Sequence, residues 1–238
     1  MNYEFQLIDK FELSLERIGR EREQVLSVER ALSQPDALVE YAAREVAFAA
    51  AWTERGGYPG VRAPAPLNYV GSLVRALDPV IRRAFGLTQV KLARAECNFS
   101  MVTQPPELLK PLQRIPHVDT ADPLQFAILH YLCGPEHGGT AFYRHRATGF
   151  EMLTAERVAP YERVRDRELR KLSAVPSYIV SDSEQYRRIA AFEAAFDRVL
   201  IYRSRTFHSG LIPASSTLSN DPRTGRLTAN IFLNFAPS

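Results

Sequence analysis

Residues 225–235 read GRLTANIFLNF, a stretch in which polar and apolar side chains alternate almost throughout. Successive residues of a β-strand point to opposite faces, so this pattern predicts a strand with one polar and one apolar face. The apolar face carries Leu227, Ala229, Ile231, Leu233 and Phe235. The polar face carries Arg226, Thr228, Asn230 and Asn234. An unbroken apolar face favours packing under helices over an exposed edge, which leaves the polar face to line a cavity.

Four earlier segments alternate in the same way and are separated by turn residues. They are QVKLARAECNFSMVT (89–103), LQFAILHYLC (124–133), TAFYRHRATGFEM (140–152) and RVLIYRSRTFHSG (198–210). Short alternating strands that follow one another predict an antiparallel sheet. We therefore expect residues 89–238 to form the β core of the protein.

The first 88 residues have a helical pattern instead. The segment 33–52, SQPDALVEYAAREVAFAAAW, opens with Ser33 as a cap candidate and Pro35 in the first turn. A second helix is predicted over 72–86, with Pro79 inside it and Gly86 as its terminator. The intervening GGYPGVRAPAP (56–66) is rich in glycine and proline and is predicted to be a loop. Residues 1–88 would thus form a helical buttress.

A helical insertion is predicted at about 154–197, inside the β region. It contains TAERVAPYERVRDRELRKL (154–172) and SDSEQYRRIAAFEAAF (181–196). Its mixed charges indicate a solvated helical face, and a lid over the substrate is the alternative. Together these patterns predict one α+β, mainly β domain spanning 1–238.

Composition excludes several functional classes. The chain has 238 residues, 45% of them hydrophobic, and a formal net charge of +3, which does not indicate a nucleic-acid surface. No apolar run approaches the roughly 20 residues that a membrane helix needs. The start of the chain lacks the order of a signal peptide, and only Cys97 and Cys133 are present. We expect a reduced, cytoplasmic protein that binds neither nucleic acid nor membrane.

A candidate metal-binding pair lies in residues 115–123, IPHVDTADP. His117 and Asp119 are two residues apart, so on an extended segment both side chains point the same way and could reach one ion. A His-x-Asp match alone is weak, because two solvated polar residues would look the same. A third ligand is needed to decide between the two interpretations.

His208 is the best third ligand, because it ends an alternating segment just before a glycine and a loop, where side chains of different strands can converge. His130 lies in mid-strand, on the face opposite Tyr131, and is a poor candidate. His137 is interpreted as a loop residue, and His145, between two arginines, as a surface or pocket-rim residue.

Two histidines and one carboxylate suit non-haem Fe(II), because they occupy one face of the octahedron and leave three adjacent positions open. A bidentate 2-oxo acid and dioxygen can share those positions. Zinc accepts similar ligands, so a hydrolase stays possible on the triad alone. A buried cation for the distal charge of a dicarboxylate would separate the two. Arg226 is the candidate, and Arg203 and Arg205 are the rivals.

Four ordered blocks resemble the Fe(II)/2-oxoglutarate-dependent dioxygenases, particularly their prolyl 4-hydroxylase-like branch. PHVD (116–119) resembles the first metal-binding segment, and FAILHYLCGPEHGGTAFY (126–143) resembles the strand–loop–strand of that branch. RVLIYRSRTFHSG resembles the strand with the distal histidine, and GRLTANIFLNF the last core strand. Cys133 stands where the branch usually has asparagine.

The resemblance implies a double-stranded β-helix, or jelly roll, with an Fe(II) site near one open end. The implied metal ligands and catalytic centre are His117, Asp119 and His208. The implied contacts to the co-substrate 2-oxoglutarate are Arg226, which would pair with its C5 carboxylate, and Thr228 and Tyr131. The implied activity is hydroxylation of a C–H bond in an amino acid, a peptide or protein residue, or a small metabolite, with O₂ consumed and succinate and CO₂ released.

Two other interpretations remain open from the residues. One is a non-catalytic jelly roll that keeps the metal site and acts as a binding or sensor protein. The other is a cupin-like metalloenzyme, such as a hydrolase or isomerase, that does not use 2-oxoglutarate.

Overall fold

The structure is a computed structural model that describes residues 3–53 and 56–238, and it is mainly β with antiparallel strand pairing. The strands are β1 (Glu12–Ile18), β2 (Glu23–Glu29), β3 (Ala49–Thr53), β4 (Gly56–Pro64), β5 (Val90–Val102), β6 (Gln125–Tyr131), β7 (Gly139–His145), β8 (Tyr186–Glu193), β9 (Val199–Arg203), β10 (His208–Leu211) and β11 (Leu227–Pro237). The helices are α1 (Pro35–Arg44), α2 (Leu67–Phe85) and α3 (Ala155–Leu169), with short 3₁₀ helices at Pro106–Leu108, Pro111–Arg114 and Pro135–His137.

The large sheet has eight strands in the order β1-β2-β9-β6-β11-β5-β4-β3. β11, which contains the alternating residues from Leu227 to Phe235, pairs on both sides, with β5 and with β6. It is therefore a central strand and not an edge, as its unbroken apolar face predicted. A second sheet has three strands in the order β10-β7-β8.

The apolar face of β11 packs under helices, also as predicted. One buried cluster joins this face to the inner sides of α1 and α2; its members include Leu38, Tyr69, Leu73, Leu77, Ile81, Leu227, Ala229, Ile231 and Leu233. Leu73, Leu77 and Ile81 are fully buried, and each contributes roughly 1.5–3 kcal/mol of burial free energy. α2 ends at Phe85, and Gly86 caps it with a left-handed φ of 65°.

The opposite face of the large sheet faces the small sheet. Tyr131, Leu129 and Tyr202 of the large sheet share a buried cluster with Phe142 and Phe192 of the small sheet. Side chains on this inner face of both sheets therefore meet in one interior, and the candidate site lies along it.

The prediction that residues 1–88 are helical is wrong in part. α1 and α2 are present and pack on the sheet, but β1 to β4 are strands of that same sheet. The predicted helix over 33–52 ends at Arg44, and β3 follows it. Ser33 is not its cap; Gln34 is, without a side-chain hydrogen bond. The alternation of Leu13 and Leu15 with polar residues in β1 was an available signal for a strand, although nearly all residues of β1 are exposed.

The predicted helical insertion at 154–197 is also wrong in its second half. α3 covers Ala155–Leu169, but Tyr186–Glu193 forms β8, which pairs with β7. The alanine-rich sequence there has high helix propensity, and pairing with β7 overrides it.

None of the helices in the described part of the chain is long and apolar enough to cross a membrane.

Candidate metal centre and its cavity

The two histidines of the candidate site are paired through their backbones. The N–H of His117 donates to the carbonyl of His208 at 2.9 Å, and the N–H of His208 donates back to the carbonyl of His117 at 2.9 Å. The N–H of Asp119 donates to the carbonyl of Ser204, also at 2.9 Å. Residues distant in sequence are thus fixed next to each other by main-chain bonds before any ligand binds.

The side chains of His117, Asp119 and His208 converge on one point. Their ligand atoms all lie within 4.8 Å of one another. His117 Nε2 is 3.7 Å from Asp119 Oδ1, and His208 Nε2 is 3.8 Å from Asp119 Oδ2. These distances are too long for hydrogen bonds. Three donor atoms that face one another without bonding leave the space and the lone pairs that a metal ion takes.

The orientation of His208 is fixed from behind. Its Nδ1–H donates to the carbonyl of Thr206 at 2.9 Å, which leaves the lone pair on Nε2, the atom nearest Asp119. The ring of Tyr202 packs edge-on against it, with ring centroids 4.9 Å apart. Burial raises the pKa of the Tyr202 hydroxyl well above its ordinary value, and the nearby Asp119 adds to this.

His117 also has the protonation state that a metal ligand needs. Loss of hydration, and then the neighbouring His208, lower the pKa of His117 to about 4. Because 55% of the side chain is still exposed, water weakens the electrostatic effect of these neighbours. The Asp119 carboxylate acts in the opposite direction, but the net lowering of the pKa favours a neutral imidazole at pH 7, the form that binds a metal ion.

The three residues lie on the wall of a cavity of about 380 Å³. This volume is within the roughly 300–1,000 Å³ typical of small-molecule sites. Side chains that matter for its chemistry are His117, Asp119, His208, Arg226, Arg62 and Thr140.

Arg226 lies in this cavity, just before β11, and is 4% exposed. Its guanidinium donates to two backbone carbonyls, to His137 at 3.2 Å and to Gly139 at 2.8 Å. Gly138 makes this turn possible, because it has a φ of 90° and any Cβ there would collide with the carbonyl of Leu211. No carboxylate of the described residues pairs with Arg226, so its charge is available to a ligand.

The rival arginines do not share this position. Arg205 pairs with Glu23 at 2.9 Å, and Arg203 approaches the other oxygen of the same carboxylate at 3.6 Å. Neither lines the cavity.

Tyr131 and Thr228 are fully buried near Arg226 but are not among the residues that line the cavity. The hydroxyl of Tyr131 is 2.6 Å from that of Thr140, and its ring lies 5.8 Å from the Arg226 guanidinium. Thr228 donates to Asn230 Oδ1 at 2.8 Å or to the Ser100 carbonyl at 3.3 Å. Their contact with 2-oxoglutarate stays a prediction.

The other histidines lie outside the centre. His130 faces away from it, bonded to Tyr69 and Asp197. The prediction that His145 lies on the surface or a pocket rim is wrong. This residue is buried, and its Nε2 lies 2.8 Å from the Glu168 carboxylate. His137 is buried in a 3₁₀ turn.

Sequence reasoning missed part of the cavity. Tyr58 and Arg62 line it, and they belong to GGYPGVRAPAP, which is strand β4 and not the predicted loop. Pro59 hides the strand in the sequence, and it is tolerated because β3 and β4 lose register around it. The same-face spacing of Tyr58, Gly60 and Arg62 was the available signal.

The chain belongs to DUF6445, a family of unknown function whose profile matches residues 9–233. No curated protein matches the sequence.

The solved structures that are distantly similar to this chain include the following three. A Pseudomonas putida prolyl-4-hydroxylase is 16% identical, with a TM-score of 0.46, over 90% of this chain and 94% of that one. HygX from Streptomyces hygroscopicus, with nickel, 2-oxoglutarate and hygromycin B bound, is 12% identical, with a TM-score of 0.45, over 90% of this chain and 83% of that one. EvdO2 from Micromonospora carbonacea var. aurantiaca, complexed with 2-oxoglutarate, is 12% identical, with a TM-score of 0.42, over 94% and 95%. Similarities this distant assign no function, which has to rest on the site itself.

Proposed function

We propose that this DUF6445 protein is an Fe(II)- and 2-oxoglutarate-dependent oxygenase that hydroxylates a C–H bond of its substrate. We propose further that its two facing sheets form a double-stranded β-helix, with the metal centre at one open end. One observation carries the proposal. Two imidazoles and a carboxylate converge in the same cavity as a buried guanidinium that has no carboxylate partner among the described residues.

The residues fit an iron ion. His117, Asp119 and His208 would hold it through two nitrogens and one oxygen, the donor set of the facial triad. When bound, iron brings 2-oxoglutarate and dioxygen together, and oxidation of 2-oxoglutarate to succinate and CO₂ accompanies insertion of one oxygen atom into a C–H bond.

Arg226 would bind the distal carboxylate of 2-oxoglutarate. A guanidinium suits this role because it stays charged and offers parallel donors to both carboxylate oxygens. Its bonds to the carbonyls of His137 and Gly139 fix its plane and leave other N–H groups for the ligand. 2-Oxoglutarate carries a distal carboxylate that must be neutralised inside the site, so a buried unpaired guanidinium beside the triad favours the oxygenase over a zinc hydrolase.

The cavity walls would keep water away from the reacting groups. The centre is flanked by Tyr202, Phe232 and Ile115, which contribute apolar surface. Excluding water strengthens the electrostatic interactions inside the site and prevents side reactions.

An anaerobic titration tests the proposal. Addition of Fe(II) and 2-oxoglutarate should produce the visible charge-transfer absorption of their chelate, and admission of oxygen should then give slow succinate release. Asp119→Asn should lose both signals, whereas Asp166→Asn, a surface carboxylate on α3, should keep both. A metal-bound protein with the absorption but no succinate would be a sensor. One that binds metal but not 2-oxoglutarate would be a metalloenzyme of another kind.

A further inference from the structure

A second arginine in the cavity, Arg62, has no role in the reaction described above. It lies on β4, where its cross-strand partner is Ser100 of β5. Ser100 in turn pairs with Thr228 of β11. Cross-strand partners point to the same face, so Arg62 projects from the inner face of the large sheet, where Arg226 also lies. β5 separates β4 from β11, so the backbones of Arg62 and Thr228 lie about 10 Å apart across the sheet, and Arg226 precedes Thr228 by two residues.

Polar atoms around Arg62 lack partners. Arg62 Nε, the Tyr58 hydroxyl and the Ser100 hydroxyl are buried, and none has a hydrogen bond within the described residues. Arg62 also has no ion pair there. Arg62 and Tyr58 line the cavity, and Ser100 is the cross-strand neighbour of Arg62. Buried polar groups are nearly always satisfied, so unsatisfied ones on a cavity wall indicate that a ligand binds there.

Tyr58 positions the free guanidinium. Arg62 Cζ lies 4.5 Å from the centre of the Tyr58 ring, which holds the guanidinium plane against an aromatic face. Gly60 lies between Tyr58 and Arg62 on β4. Only glycine fits there, because any Cβ would collide with the backbone carbonyl of Met101. Arg62 is also one of the charges that lower the pKa of His117, after burial and His208, which puts it on the metal side of the cavity.

The charge of the cavity points to an anion. Apart from the histidines, the charged residues that line it in the described chain are Arg62, Arg226 and Asp119, two positive and one negative. A divalent metal ion and the 2-oxoglutarate dianion cancel each other. One positive charge therefore stays unbalanced, and Arg226 is already assigned to 2-oxoglutarate.

We propose that Arg62, supported by Tyr58, binds a carboxylate of the primary substrate, so that the molecule to be hydroxylated is a small organic acid. The inference rests on the proposed function for the assignment of Arg226. The volume of about 380 Å³, shared with the co-substrate, favours a small molecule. Leu112, Tyr178 and Phe232 add apolar surface to the cavity wall, which favours an acid with an apolar body.

Direct binding tests this without turnover. The probes are straight-chain carboxylates from propanoate to octanoate and 3-phenylpropanoate, each beside its primary amide, which has nearly the same shape and no charge. They are titrated calorimetrically into the protein loaded with Zn(II) and 2-oxoglutarate. We expect at least one acid to bind, its amide to bind at least about tenfold more weakly, and Arg62→Gln to remove that difference. Arg62→Lys should restore part of it.

Two further variants separate the outcomes. Arg94→Gln, on β5 and exposed, should behave as the unmodified protein does. Affinity for 2-oxoglutarate should fall in Arg226→Gln and not in Arg62→Gln. If no acid binds better than its amide, or if Arg62→Gln keeps the difference, the inference is wrong. If Arg62→Gln loses 2-oxoglutarate instead, Arg62 is the co-substrate anchor. If the unmodified protein binds no 2-oxoglutarate, the proposed function fails, whatever the acids do.

Discussion

Two groups of the same residue types lie on opposite sides of the large sheet. On its inner side, around the cavity, are His117, Asp119 and His208, of which His208 begins β10 of the small sheet. On the outer face, His130 Nε2–H donates to Asp197 at 2.8 Å, and the Tyr69 hydroxyl lies 2.8 Å from His130 Nδ1. Both groups hold histidine beside aspartate.

The two groups differ in whether the aspartate carboxylate has hydrogen-bond partners. The Asp197 carboxylate also accepts a hydrogen bond from the backbone N–H of Leu32, at 3.0 and 3.1 Å. The polar atoms of the outer group are therefore satisfied by one another and by the backbone. His130 is fully buried and Asp197 is 3% exposed. The Asp119 carboxylate accepts no hydrogen bond from the described residues and faces a cavity. The first arrangement stabilises a fold, and the second is suited to binding.

The sharpest test of this contrast is Asp197→Ala. It would leave His130 buried without its acid and the Leu32 N–H without an acceptor. Removing one partner of a buried pair costs about 3–5 kcal/mol, so the free energy of unfolding in urea should fall by that amount. Metal binding by the fraction that folds should be unchanged. A loss of under about 1 kcal/mol would mean that the outer group does not hold the sheet to α2.

The complementary change is Asp119→Ala, which should affect binding and not folding. We expect metal affinity to fall by at least about 100-fold, since even groups behind the ligands contribute 10- to 100-fold. Because this carboxylate makes no hydrogen bond in the described chain, the free energy of unfolding of the metal-free protein should change by no more than about 0.5 kcal/mol. Calorimetric titration with Fe(II) or Zn(II) and urea unfolding check the two halves. Normal metal binding would remove Asp119 from the centre.

The sequence was informative where one pattern had one explanation. The alternation in 225–235 predicted a strand with an apolar back under helices, and β11 confirms it. The two-residue spacing of His117 and Asp119 pointed to one site. His208 was expected to end a strand over 198–210, and this is wrong: the segment divides into β9 and β10 in different sheets, and His208 begins β10. The convergence of the three residues depends on backbone bonds between distant segments, which no local pattern encodes.

Other features could not be predicted from local pattern. His145, between two arginines, looks like a surface residue, but it is buried and hydrogen-bonded to Glu168 of α3. Arg62 was hidden because glycine and proline around it indicate a loop. Residues 186–193 favour a helix by propensity and form β8 because β7 offers an unpaired edge. In each case a tertiary partner decides.

The third test is Arg226→Ala, which examines the proposed binding of 2-oxoglutarate by Arg226 and not the metal ligands. Loss of a charged bidentate contact should weaken 2-oxoglutarate binding by roughly 10- to 100-fold. Metal affinity should stay the same, and Arg226→Lys should recover part of the loss. Titration of 2-oxoglutarate into the Zn(II)-loaded protein measures it. Arg94→Ala, at an exposed arginine of β5, is the matched control. An unchanged affinity in Arg226→Ala would place the anchor elsewhere.

The smallest expected effect is a pH dependence specific to the inner group. The pKa of His117 is lowered from 6.5 to about 4 in the folded protein. Between these values the unfolded chain binds a proton that the folded metal-free protein does not, so the free energy of unfolding falls as the pH drops from 6.5 to 4. With 55% of the side chain exposed, solvent screening reduces the contribution to on the order of 1 kcal/mol. The difference in unfolding free energy between the unmodified protein and His117→Gln, measured from pH 7.5 to 4, should change by this amount. If this difference in unfolding free energy does not change with pH, the imidazole of His117 is as freely hydrated as one on the surface.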